Sequence, residues 1–149
     1  MKKILPWITV ILCMATIFYL SHQPAASSNK LSKNVTEIIV GNVEIVVPNK
    51  ELRIVSFNNI VRKNAHFFIY LVLGVLVTHA LKRSGVSSTY KGLGLAFILC
   101  VLYAVSDELH QLVVQGRGAQ VKDVLIDSAG AFVGICLYLV IRRIGKFAI

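Results

Sequence analysis

Acidic residues are scarce in this chain: seven Asp and Glu stand against sixteen Lys and Arg in 149 residues, for a formal charge of +9. Only 15% of the residues are charged and 56% are hydrophobic. The charged surface that keeps a soluble domain in water is therefore missing, and a mean hydropathy of +0.71 makes the bilayer the relevant solvent. Cys13, Cys100 and Cys136 each lie inside an apolar run, with no CxxC spacing. Their odd number and setting exclude a disulfide framework and mark them as packing residues. There is no internal repeat of the kind that marks many transporters, and no nucleic-acid motif accounts for the positive charge.

What the chain does have is four long apolar runs. Crossing a hydrocarbon core of roughly 30 Å takes about 20 helical residues, within a range of about 17 to 25. Runs near that length cover residues 4–20, 65–81, 93–112 and 124–141. The charge-free part of the third, "LGLAFILCVLYAV", ends at Val105 and reaches only about 20 Å as a helix. It must continue through "SDELHQL" to Leu112 to cross, which places acids and a histidine at membrane depth. The expected fold is an all-α integral membrane protein, a single domain over residues 1–149. It has four transmembrane helices and an amphipathic or irregular extracytoplasmic segment at 21–64, between the first and second.

Within that segment Leu31, Val35, Ile38 and Ile39 recur at helical spacing, predicting a short helix lying on the membrane surface. "VEIVVP" reads equally as a strand or an extended stretch, so the structure of residues 40–56 stays open. From Leu52 the pattern is helical into the second span. At the N-terminus, Lys2 and Lys3 before an apolar run and "PAASS" resemble a secretory signal. Seventeen apolar residues nonetheless exceed the usual signal core of about 7 to 15, and a retained span is expected.

Residues 1–3, 82–91 and 142–149 hold Lys2, Lys3, Lys82, Arg83, Lys91, Arg142, Arg143 and Lys146 and no acid. By the positive-inside rule these segments are cytoplasmic, held against an anionic inner leaflet. The chain is then a multi-pass protein of the cell membrane with both termini cytoplasmic. Trp7, Tyr19, Tyr90 and His79 read as residues of the membrane interfaces.

Four of the seven acids, Asp107, Glu108, Asp123 and Asp127, fall between Tyr103 and Gly130 together with His110, Arg117 and Lys122. Charges at membrane depth cost about 2.5 to 3.5 kcal/mol each at the centre unless paired or in a wet cavity. At helical spacing Arg62, His66 and Tyr70 share one stripe of the second span, and Tyr103, Asp107, His110 and Gln111 share one of the third. On the fourth, Asp123 and Asp127 share a face with Gly130 and Gly134, the small-xxx-small pattern of close helix contact. Three helices thus direct polar groups to one place. A purely structural alternative pairs Arg62, Lys63, Arg117 and Lys122 with the four acids one for one, Arg62 with Asp127 among them.

"VRKNAHFFIYLVLG" and "YAVSDELHQLVVQGRGAQVKDVLIDSAGAFVG" resemble the VanZ-like family of small bacterial membrane proteins. The likeness rests on the Arg-Lys-x-x-His stretch at Arg62, Lys63 and His66, the Asp-Glu-x-His-Gln motif at Asp107, Glu108, His110 and Gln111, the Gly-Arg turn at Gly116 and Arg117, and the Asp-x-x-x-Asp pair at Asp123 and Asp127. Ser21 and Gln23 match a Ser-x-Gln element. Gln115 departs from the pattern, where Pro often precedes Gly-Arg. The resemblance implies a cell-envelope protein linked to tolerance of teicoplanin-type glycopeptides, which carry a lipid tail.

On that footing Asp107, Glu108 and His110 are candidate acid–base residues. Arg62, Lys63, His66, Gln111, Arg117, Asp123 and Asp127 are candidates for binding a lipid-linked or phosphate-bearing headgroup, with Lys122 beside them. The same cavity could instead hold a lipid-linked cell-wall precursor or a lipoglycopeptide without breaking a bond, so enzymatic activity stays open. A metal site from His66, His110 and a carboxylate is the third reading. The spacing matches no zinc-helix motif such as H-E-x-x-H, and neither a metal nor a cofactor is expected. The expected partners are membrane lipids, not nucleic acid.

Overall fold

The computed structural model describes residues 4–24, 50–86 and 90–147. They form four helices: α1 (Leu5–Ser21), α2 (Lys50–Arg83), α3 (Tyr90–Gln111) and α4 (Val121–Phe147). Among the described residues there is no strand. The surface helix expected around residues 31–39 and the "VEIVVP" stretch lie outside the described residues.

Local chemistry sets the helix ends. Pro6 in the first turn of α1 has the helical φ built in and lacks only a donor that no carbonyl needs there. At the end of α2 the Val86 amide donates to Leu81 O and the Gly85 amide to Lys82 O, with Gly85 at φ 91°. That is a Schellman stop, which requires a left-handed residue. Between α3 and α4 the Arg117 amide donates to Val114 O, closing a turn with Gly116 at φ 76°. The third position of such a turn favours glycine, so the Gly-Arg pair is a device for aiming Arg117. The first turn of α4 then places Asp123 at the positive end of the helix dipole.

Three stretches are long and apolar enough to cross a membrane: Ile60–Arg83, Tyr90–Gln111 and Val121–Ile144. They contain the predicted spans, the third to within one residue of its end at Leu112. The fourth helix, α1, is apolar but has 17 residues, about 25 Å of length. The 34 residues of α2 measure about 51 Å, well beyond a hydrocarbon core, so this helix extends into the 21–64 segment, as the helical pattern from Leu52 predicts.

The bundle is greasy on its outside. Ile11, Leu102 and Phe132 are each more than half exposed, while Tyr70, Leu73, Ala80, Ala96, Cys100, Ala104 and Ala131 form the interior. In lipid the hydrophobic effect does not hold such helices together; close packing does. A Cβ on Gly130 or Gly134 would strike the backbone carbonyl of Phe67 or Leu71 on α2, and one on Gly74 would strike that of Ala131 on α4. Glycine on both helices therefore sets the α2–α4 approach and brings their polar residues within reach of each other. The three cysteines are free. At the end of the bundle holding the α2–α3 turn, Trp7 Nε1 donates to Ser84 Oγ at 2.8 Å, and His79 Nδ1 lies 3.4 Å from the Tyr138 hydroxyl. The candidate residues gather at the opposite end.

Candidate functional site

The site begins with the packing of α3. Gly92, Ala96, Cys100 and Ala104 are buried, and their spacing of four traces one stripe along the helix. The next member is Glu108, with Asp107 and Gln111 beside it, so the inward face turns polar in the last turn. Asp107 and Glu108 are each only 3% exposed. Asp107 Oδ2 accepts from Ser21 Oγ at 2.7 Å and from Gln111 Nε2 at 3.3 Å. Gln111 Nε2 also reaches Glu108 Oε1 at 3.2 Å, and Glu108 Oε2 accepts the backbone N–H of Gln120 at 2.8 Å. Two carboxylates of one helix thus hold the end of α1 and the entry to α4.

The glycine contacts between α2 and α4 align a second set. Lys63 Nζ lies 3.6 Å from Asp123 Oδ1, and one turn deeper His66 Nδ1 lies 3.6 Å from Asp127 Oδ1. Both distances are too long for hydrogen bonds. Asp127 is 0% exposed, and neither of its oxygens has a hydrogen-bond partner; Asp107 Oδ1, the Tyr70 hydroxyl and His66 Nδ1 are likewise buried and unpartnered. One donor atom each from His66, Asp107 and Asp127 lies within 4.8 Å of the other two. Three helices meet there.

Arg117 sits over this cluster on its turn. Its Nη2 makes a long contact of 3.4 Å to Leu20 O, and its buried Nε has no partner. Burial, followed by the nearby charge of Arg62, draws its pKa below the ordinary guanidinium value, while Asp107 and Glu108 oppose that shift.

Several predicted relationships come out differently. Among the described residues His110 makes no hydrogen bond to a carboxylate: its Nε2 is 3.1 Å from His22 Nδ1, and its ring is 4.4 Å from that of Phe18. The imidazole that joins Asp107 is His66, from another helix. Arg62 does not pair with Asp127, whose neighbour is His66. The one-for-one matching of cations and acids is not realised among the described residues, where Lys63–Asp123 is the one Lys–acid pair and Lys122 is exposed. Gln111 bridges Asp107 and Glu108. Sequence reasoning gave His22 no role and Ser21 only a motif match. The signal for both is "SHQP", a polar exit directly after an apolar run.

A family model described as VanZ/LLP1 matches residues 6–142. No curated protein and no solved structure matches the chain. The matched stretch takes in α1, the polar end and all but the last turns of α4; the chain belongs to the VanZ/LLP1 family.

Proposed function

We propose that this protein sits in the cell membrane with both termini cytoplasmic and uses its polar end, at the outer leaflet, to bind a phosphate-bearing headgroup of a lipid or lipid-linked cell-wall precursor. The observation that carries this reading is the state of the two guanidinium groups. Neither Arg62 nor Arg117 has an ion-pair partner among the described residues, and Arg117 Nε is buried with no acceptor. A forked donor kept partly out of water and left unspent suits a phosphate, which takes two parallel N–H bonds. Lys63, half-buried and shared with Asp123, adds a third positive charge. The membrane setting supplies anionic lipids in any case.

The cluster beneath offers Asp107, Asp127 and His66 as proton acceptors and donors within 4.8 Å of one another, with Glu108 joined to Asp107 through Gln111, which is the equipment that headgroup modification, beyond capture, calls for. A protein occupying a lipid-linked precursor in this way would shield it from a lipid-tailed glycopeptide. That fits the tolerance implied by the family resemblance.

Lipid extraction and mass spectrometry of the purified protein test the reading. A polyprenyl phosphate or phospholipid anion should co-purify, and its yield should fall at least five-fold in an Arg62→Gln, Arg117→Gln double variant. Equal yield from both proteins would refute headgroup binding by the guanidinium groups.

A further inference from the structure

We infer that His66, Asp107 and Asp127 form a binding site for one divalent first-row metal ion of the zinc or manganese class. Each residue comes from a different helix, α2, α3 and α4, and contributes one donor: an imidazole nitrogen and two carboxylate oxygens, all within 4.8 Å of one another. An ion bound at about 2.0 to 2.2 Å from each donor needs them no more than about 4.4 Å apart. Side-chain rotation by less than about 1 Å meets that requirement. One imidazole with two carboxylates is a donor set for zinc, manganese or iron rather than for magnesium or calcium, which take oxygen ligands almost exclusively.

The second observation is the state of these atoms. Asp127 is fully buried with both oxygens unpartnered, and Asp107 Oδ1, His66 Nδ1 and the Tyr70 hydroxyl are buried and unpartnered beside it. Buried polar groups are normally satisfied, and a buried carboxylate with no hydrogen bond is among the most costly exceptions. His66, 3.6 Å from one Asp127 oxygen, satisfies neither oxygen by a hydrogen bond. A single cation answers all three donors at once. The remaining oxygen of Asp107 is held by Ser21 at 2.7 Å and by Gln111, the outer-shell support that fixes the orientation of a metal-bound carboxylate.

The ion also resolves a conflict within the headgroup reading, and this part of the inference rests on that reading. A phosphate drawn in by Arg62, Lys63 and Arg117 would face two buried carboxylates that repel it. A divalent ion between them turns repulsion into a bridge, with the metal as Lewis acid on a phosphoryl oxygen.

The test uses the full chain in detergent, stripped with EDTA and titrated with Co2+ and then Zn2+. Expected are visible d–d absorption saturating at one Co2+ per chain, displacement by one equivalent of Zn2+, and at least ten-fold weaker binding in Asp127→Asn and His66→Gln. His79→Gln, at the other end of the bundle, should match the parent. The parent protein alone gives a second readout should a variant fail to insert: Zn2+ should protect His66, and not His79, from diethyl pyrocarbonate. Absence of saturable binding, binding unchanged in both variants, or no protection of His66 would overturn the site. Vesicles containing phosphatidylglycerol separate the two readings. Retention of that lipid insensitive to EDTA would remove the bridging role and leave the headgroup reading standing. Stoichiometric metal binding with no lipid retention would keep the metal site and remove the headgroup.

Discussion

Ser21 and Asp107, 86 positions apart, meet through a 2.7 Å hydrogen bond in which the hydroxyl at the end of α1 donates to a carboxylate oxygen of α3. Farther down the same pair of helices the Tyr103 hydroxyl donates to Met14 O at 2.6 Å. The short first helix is therefore fastened to α3 by polar contacts at two depths, and its end completes the polar site.

Ser21→Ala should destabilise the protein by about 1.5 to 3 kcal/mol, the range for a hydrogen bond to a charged group. Thermal unfolding in detergent would measure it. Thr16→Ala, which loses a bond only to its own helix at Leu12 O, should cost far less; equal losses would contradict a special role for the Ser21 contact.

Gly134→Leu should force α2 and α4 apart, because even a Cβ meets the Leu71 carbonyl. Overpacking costs typically about 1 to 3 kcal/mol, and here the obstacle is backbone, so the upper end is expected. Gly94→Leu, in open space, is the matched control. A melting temperature unchanged in Gly134→Leu would mean that the glycine contact does not set this helix pair.

Topology can be read at Gly118, which is exposed and has nothing within 4 Å of an added Cβ. In a variant lacking Cys13, Cys100 and Cys136, Gly118→Cys should react with an impermeant maleimide in intact cells. Reaction only after the membrane is opened would invert the proposed orientation.

Much of this architecture was legible in the sequence because spans in lipid are dictated by run length. The inward face of α4 was legible for a similar reason: Asp123, Asp127, Gly130 and Gly134 share one periodicity. What a single helix cannot reveal is its rotation against its neighbours. His110 belongs to the same motif as Asp107, yet it stands about 200° around the helix from Glu108, where the small-residue stripe faces inward. That stripe was the available signal, and following it from Gly92 separates Glu108 from His110. The substitution of His66 for His110 and the reach of Ser21 depend on contacts between distant segments, which no local pattern encodes.

Arg117→Lys should insert normally but lower lipid-phosphate retention, and any glycopeptide tolerance, by about ten-fold, since one point charge replaces a bidentate fork. Asp107→Asn should lose tolerance as well, through the cluster that Ser21 and Gln111 orient. Full tolerance in both at equal expression, measured as the inhibitory concentration of a lipid-tailed glycopeptide, would remove these residues from the site.

Whether the polar end is a ligand site or a lock between helices is decided by a double-mutant cycle on His66 and Asp127. If the two form a lock, removing one member strands the other, at a cost of about 3 to 5 kcal/mol, and removing both recovers much of it. Stability and bound lipid phosphorus per mole of protein are to be measured across His66→Gln, Asp127→Asn and the combination. The double variant should regain most of the parent melting temperature and retain little of its lipid phosphorus. Recovery of both together would contradict a ligand-binding role for this cluster and leave it as a lock between α2 and α4.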